Sequence, residues 1–153
     1  MILGLDPSFS ATGWAVLSNR HSVKNAGIFP GPKSEVFEVR LKSAHEWIAS
    51  ILNKYVGIEI VGIEQPFFAR NPKTFYEQAA LVTIYRYEAY ESGKTVHMVH
   101  PSQRFKPFGI KPRGGKEQLR KTINLRFDLK IKPKDHDVSD AIAVAVTAAE
   151  RGK

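Results

Sequence analysis

Four acidic residues stand where a folded chain can gather carboxylates into a reaction centre. Asp6 follows the apolar run 2–5, and Glu64 closes the β-branched, mostly apolar run 58–63. Both are therefore expected at the carboxyl ends of strands, the edge at which open α/β sheets place their crevice. Asp137 and Asp140 are three apart at the start of an expected helix and share one of its faces. That helix continues Ala141-Ile142-Ala143-Val144-Ala145-Val146, small and apolar nearly all round. It should pack closely on a sheet, with its first turn at the same crevice. Hard divalent cations such as Mg²⁺ take oxygen ligands and keep several waters, so convergent carboxylates are what a one- or two-metal phosphodiesterase site needs. Two ions about 4 Å apart activate a water on one side of a phosphate and stabilise the leaving oxygen on the other. Taken singly, each acid also fits a quieter role. Asp6 before Pro7 suits a turn, Glu64 suits a solvated strand end, and Asp137 with Asp140 suits a helix start. The economy lies in one topology that sends all four to one place.

The elements that must position these acids are legible in the hydrophobic periodicity. Strands are expected at 2–5, 13–18, 23–29, 58–64 and 95–99, and helices at 36–55, 74–92 and 116–127, with a last one from about Asp137. Gly93 suits the C-terminal cap of the second helix. Strands first, then strands alternating with helices, predict an α/β fold with a mixed five-stranded sheet flanked by helices. No internal repeat or low-complexity linker divides the chain, so residues 1–153 are expected to form a single domain.

Charge points to the partner. The chain carries 23 basic and 15 acidic residues, a formal net charge of +8. Eleven of the bases lie between Pro101 and Lys134 against two acids, Glu117 and Asp128, while the remainder holds twelve bases and thirteen acids. The cationic surplus therefore sits in one stretch, the footprint of a polyanion-binding face, with an ordinary solvated basic helix as the bland alternative. Within it, Arg104, Lys106, Lys111, Arg113 and Lys116 are candidate DNA contacts, Lys116 directly after Arg113-Gly114-Gly115, read as a mobile loop able to close on phosphate. Phe67 and Phe68 are adjacent aromatics in a loop between Pro66 and Pro72, followed by Arg70. One ring can enter the core while the other stays exposed for base stacking, although two core aromatics would look the same. Cysteine is absent, no apolar run approaches the ~20 residues of a membrane span, and the first residues lack a basic signal-peptide region. A soluble, cytoplasmic protein without disulfides is expected.

These motifs resemble those of the RuvC-type Holliday-junction resolvases, within the ribonuclease H-like nuclease superfamily, over nearly the whole chain. The opening Ile-Leu-Gly-Leu-Asp6-Pro-Ser-Phe-Ser-Ala-Thr-Gly-Trp is similar to the family's first-strand signature, Glu64-Gln-Pro-Phe67-Phe-Ala-Arg-Asn to its second-acid motif, and Asp137-Val-Ser-Asp140-Ala-Ile-Ala-Val-Ala to its C-terminal acid pair. The resemblance implies a ribonuclease H-like fold. It also implies a homodimer that nicks two strands of like polarity at a four-way DNA junction, using Mg²⁺ or Mn²⁺, with two ions per active site. Asp6, Glu64, Asp137 and Asp140 would be the catalytic metal ligands, Lys106 and Lys116 would lie against the scissile backbone with Lys116 counted among the catalytic residues, and Phe67 would be the aromatic that wedges into the junction. Ser8 stands where the family commonly has glycine, and His136 adjoins the acid pair, where some members keep a histidine. His136 is a ligand, a proton carrier or a capping-region residue, the last being the preferred reading. Tyr85, Tyr87 and Tyr90 are read as core and dimer-face residues, which makes their helix the candidate two-fold contact. Short stand-alone members of the family are often phage-encoded. The sequence leaves open a phage source, a motor partner and the cutting of flaps or forks as well as four-way junctions.

Two rival classes share features of the pattern. An actin-like ATPase also begins with Asp followed by Thr-Gly, but it needs a second phosphate loop and a second lobe for which about 150 residues leave no room. A junction-binding module without cleavage needs only the basic stretch, and acids at all four positions argue against it.

Overall fold

The computed structural model describes residues 1–67 and 71–151. Its strands are β1 (Ile2–Asp6), β2 (Ala11–Asn19), β3 (Ser22–Pro30), β4 (Ile60–Glu64) and β5 (Thr95–Val99), and its helices are α1 (Phe37–Lys54), α2 (Pro72–Glu91), α3 (Gly115–Phe127) and α4 (His136–Arg151). They form one sheet of order β3-β2-β1-β4-β5. The β1–β2 and β2–β3 pairs are antiparallel, and the β1–β4 and β4–β5 pairs are parallel. This is the mixed α/β sheet that the strand and helix periods predict.

Strand alternation divides the core in two. Leu3, Leu5, Val61 and Ile63 point to one face and are buried with Ile48 and Leu52 of α1 and Leu81 and Tyr85 of α2. Ile2, Ala15 and Leu17 point to the other, beneath Leu119 and Ile123 of α3 and the apolar residues of α4. By the same alternation Asp6 and Glu64, even-numbered like Ile2 and Gly62, belong to the α4 face.

Glycines let α4 approach that face closely. Gly4 pairs with Gly62 across β1 and β4, and Gly13 pairs with Asp6 across β2 and β1. A Cβ on Gly4 would stand 2.1 Å from the Ala141 carbonyl oxygen, one on Gly62 2.7 Å from Ala148 Cβ, and one on Gly13 2.2 Å from the Asp137 carbonyl oxygen. The small residues of α4 seat on this bare stripe, and its first turn is held directly beside Asp6. Gly13→Ala meets backbone and not a yielding side chain. It should destabilise the protein by about 1–3 kcal/mol, the usual range for overpacking. Thermal melting checks this, and an unchanged midpoint would mean that α4 does not rest on Gly13.

α2 starts at Pro72 because Asn71 caps it, its side chain accepting from the backbone N–H groups of Lys73 at 3.0 Å and Thr74 at 3.4 Å. Beyond β5 the basic stretch is more ordered than composition suggested. Gln103–Phe108 and Pro112–Gly114 wind into 3₁₀ turns, and α3 begins at Gly115, so residues 113–115 run straight into a helix and do not form an open loop. Among the described residues, no helix is long and apolar enough to cross a membrane.

Candidate active site

The parallel register that sets Leu5 beside Ile63 carries Asp6 and Glu64 to neighbouring strand ends on the α4 side of the sheet. Gly13, the partner of Asp6, is covered by the Asp137 backbone, and one turn further along α4 lies Asp140, 0 % exposed. The four acids therefore meet at one edge of the sheet. Their mutual fields agree with the geometry. The Asp6 carboxyl is pushed well above its ordinary value, first by burial and then by the charges of Glu64 and Asp140, with Arg104 opposing and Asp137 adding. Burial also raises Glu64, against the lowering pull of Arg104.

Two cations reach into this group. Arg104 Nη1 donates to Glu64 Oε2, and Nη2 lies 3.4 Å from Asp140 Oδ2. Lys116, half-exposed in the first turn of α3, places Nζ 3.1 Å from the same Asp140 oxygen. Neither Asp140 oxygen has a hydrogen-bond partner, although both are buried. His136 Nε2 is 3.0 Å from Asp137 Oδ1, and His136, Asp137 and Asp140 each offer a donor atom within 4.8 Å of the others. Four carboxylates against two positive charges, with the buried Asp140 Oδ1 left without a partner, suit a hard divalent cation. The residues present thus fit such an ion.

The loop after β1 is fixed from the opposite face. Thr12 Oγ1 donates to the Ser8 carbonyl oxygen at 3.0 Å, and the buried Tyr85 hydroxyl lies 3.0 Å from Thr12 Oγ1, positioned to donate to it. Burial raises the Tyr85 phenol above its ordinary value and keeps it protonated. Tyr85 is a core residue, whereas Tyr87 and Tyr90 on the same helix are exposed.

Several expected DNA contacts lie elsewhere. Lys106 is exposed, but it lines a surface hollow with Gln103, Pro107, Thr147, Glu150 and Arg151, at the far end of α4 from the acids. In a 3₁₀ turn of three residues per turn, positions 104 and 106 face different ways, so Arg104 enters the acidic site and Lys106 does not. Arg104, 6 % exposed, is an internal residue here and not part of the outer basic face. Lys111 and Arg113 are exposed in the turn before α3. Phe67 is 60 % exposed, with its ring edge-to-face on His100 at 6.2 Å. Phe68 and Arg70 lie outside the described residues. Sequence reasoning missed the inward role of Arg104 and the Tyr85–Thr12 tie. The signal for Arg104 was its place just past β5, whose Val99 pairs with Glu64.

The family model for "Crossover junction endodeoxyribonuclease RuvC" matches residues 2–148, nearly the whole chain. The chain belongs to this family. It is 30 % identical to the crossover junction endodeoxyribonuclease RuvC of Clostridioides difficile (strain 630), over all of this chain and 92 % of that protein. It is 28 % identical to that of Alkaliphilus oremlandii (strain OhILAs), over 99 % of this chain and 94 % of the relative. Among solved structures the chain is similar to Thermus thermophilus RuvC in complex with Holliday junction substrate, with a TM-score of 0.84 and 21 % identity over 99 % of this chain and 93 % of that one. It is also similar to the Fowlpox virus resolvase in complex with Holliday junction DNA, with a TM-score of 0.65 and 15 % identity over 98 % and 97 %. The fold is therefore that of RuvC, ribonuclease H-like, and RuvC proteins are divalent-metal-dependent nucleases.

Proposed function

We propose that Asp6, Glu64, Asp137 and Asp140 are the metal-binding and catalytic carboxylates with which this member of the RuvC family resolves Holliday junctions. The observation that carries this reading is the convergence of all four at one sheet edge, around a buried Asp140 whose carboxylate is met only by the ion pairs of Arg104 and Lys116 and makes no well-formed hydrogen bond. Mg²⁺ or Mn²⁺, two ions per site, fits the oxygen donor set, and when bound would supply activation of water and stabilisation of the leaving oxygen. His136 is close enough to Asp137 and Asp140 to join that set. Lys116 holds its ammonium at the mouth of the site, on Asp140, where it meets a phosphate entering from solvent. Phe67, exposed directly after the Glu64 strand, is the ring that stacks on a junction base beside the cut, a contact worth about 1–3 kcal/mol. Phe68 and Arg70, which follow Phe67 in the sequence, are assigned to DNA with it, and Lys106 to DNA beyond the scissile step.

The chain acts as one nuclease domain and as a homodimer. Paired, symmetric nicks require two sites, and α2 with the edge strand β5 offers the contact for a second copy. There Thr83, Arg86, Tyr87, Tyr90, Val96 and Met98 line a groove of 490 Å³, with Tyr90 72 % exposed. The working compartment proposed is the cytoplasm.

The test is nicking of a synthetic mobile four-way junction beside a flap of matched sequence, with and without Mg²⁺. Symmetric paired nicks in the junction, dependent on Mg²⁺, are expected. Binding without nicking under any divalent ion would favour the non-cleaving junction-binding module, and equal cutting of the flap would favour a broader branched-DNA endonuclease. Neutralising Lys111 and Arg113 together should weaken binding to every DNA sequence and reduce the salt slope by about 0.9 for each phosphate no longer neutralised. An unchanged slope would show that these side chains do not meet the backbone.

A further inference from the structure

Among the described residues, Arg104 is the one buried cation, and it is buried inside the acidic site. Its guanidinium joins two carboxylates that reach the crevice from different elements, Glu64 from β4 and Asp140 from α4. The Phe105 ring lies 5.2 Å from its carbon, and the side chain has almost no exposed surface. An incoming phosphate therefore meets Lys116, which is half-exposed, before it meets Arg104. A buried guanidinium and a divalent cation cannot share the same oxygens without cost, because both are positive and both need those lone pairs.

We infer that Arg104 is a resident counter-cation that clamps Glu64 to Asp140 in the metal-free protein and sets metal affinity by having to release Glu64 Oε2 when a divalent ion enters. The inference rests on the reading of the four acids as metal ligands. Arg104 is in this sense a positioning residue, acting through Glu64 and Asp140. Lys116 completes the device. It pairs with Asp140 from the solvent side, so Asp140 keeps a cationic partner after Arg104 has let go of Glu64.

Calorimetric titration with CaCl₂ at pH 8.5, without DNA, tests this on the wild type, Arg104→Gln and Arg104→Lys. Arg104→Gln should bind Ca²⁺ about tenfold more tightly, within the usual range of coupling between two competing ligands. Its metal-free melting temperature should fall, and its gain on adding Ca²⁺ should exceed that of the wild type. Arg104→Lys, which keeps the charge, should lie nearer the wild type in affinity. A purely structural arginine would lower the melting temperature and leave the dissociation constant unchanged, and that result overturns the inference. Should Arg104→Gln fail to fold, NMR of the ¹⁵N-arginine-labelled wild type decides. The Arg104 side-chain resonance should shift with the same midpoint as the calorimetric titration, and a resonance unmoved at Ca²⁺ saturation overturns the clamp. Absence of Ca²⁺ binding by wild type and variants alike would instead overturn the metal-site reading on which the clamp stands.

Discussion

Asp140→Asn should reduce junction cleavage by about a thousandfold or more, the several kcal/mol that a metal supplies to a transition state, while junction binding survives. Asp140 has the deepest position of the four, at 0 % exposure, and its carboxylate is balanced by the ion pairs of Lys116 and Arg104 without a well-formed hydrogen bond to either oxygen. Asparagine keeps the shape and removes the charge that would hold a cation. The outer basic residues Lys111 and Arg113 are untouched, so affinity for the junction should stay close to that of the wild type or rise as local repulsion of phosphate falls. Asp6→Asn and Glu64→Gln are expected to behave alike, since each removes a carboxylate from the same coupled group. Single-turnover cleavage alongside gel-shift binding separates the two effects. Normal cleavage by any of these variants would remove that acid from the site.

The burial of the Asp6 and Glu64 carboxyls should make the metal-free protein less stable as pH rises. In the fold, the carboxyls of Asp6 and Glu64 are both raised above their ordinary values, with burial the largest cause for each. The folded state therefore holds these protons more tightly than the unfolded chain does. The associated stability is fully present below the unfolded carboxylate range, about pH 4, and is lost as pH rises through the higher folded values. Asp6→Asn cannot ionise, so its melting temperature should equal or fall below that of the wild type near pH 4 and exceed it at neutral pH. The gap should open at roughly 2–4 °C per kcal/mol for a domain of this size. Mg²⁺ should close the gap by stabilising the wild type far more than the variant. Parallel melting curves at all pH values, or an equal response to Mg²⁺, would show that Asp6 is not under this electrostatic load.

The acids were legible because their placement follows from short-range rules. Strand ends can be read from apolar runs, and the even-numbered alternation that buries Ile2 on the α4 side carries Asp6 with it. The close seat of α4 was legible in Ala141–Ala145, although the glycine stripe beneath it becomes visible only once the strand register aligns Gly4 with Gly62. The basic stretch was read less well, because charge counts do not say which way a side chain points. Arg104 turns inward to Glu64. Arg120 bonds Glu117 and the Ile131 carbonyl, and Arg126 bonds the carbonyls of Pro107 and Arg20. These arginines tie α3 to its neighbours; Arg104 and Arg120 are also drawn in and paired with acids, so they subtract from the outward-facing charge, while Arg126 stays exposed. The 3₁₀ turn at Gln103–Phe108 separates Arg104 from Lys106. It contains Pro107 and has no hydrophobic period long enough to reveal it in sequence.

Diffraction from crystals soaked in MnCl₂, recorded at the manganese edge, shows outright whether the four acids hold metal. Anomalous density is expected among the carboxylates of Asp6, Glu64, Asp137 and Asp140, and should vanish in crystals of Asp140→Asn. Manganese bound at another place on the surface, or density that persists unchanged in that variant, would refute the carboxylate site.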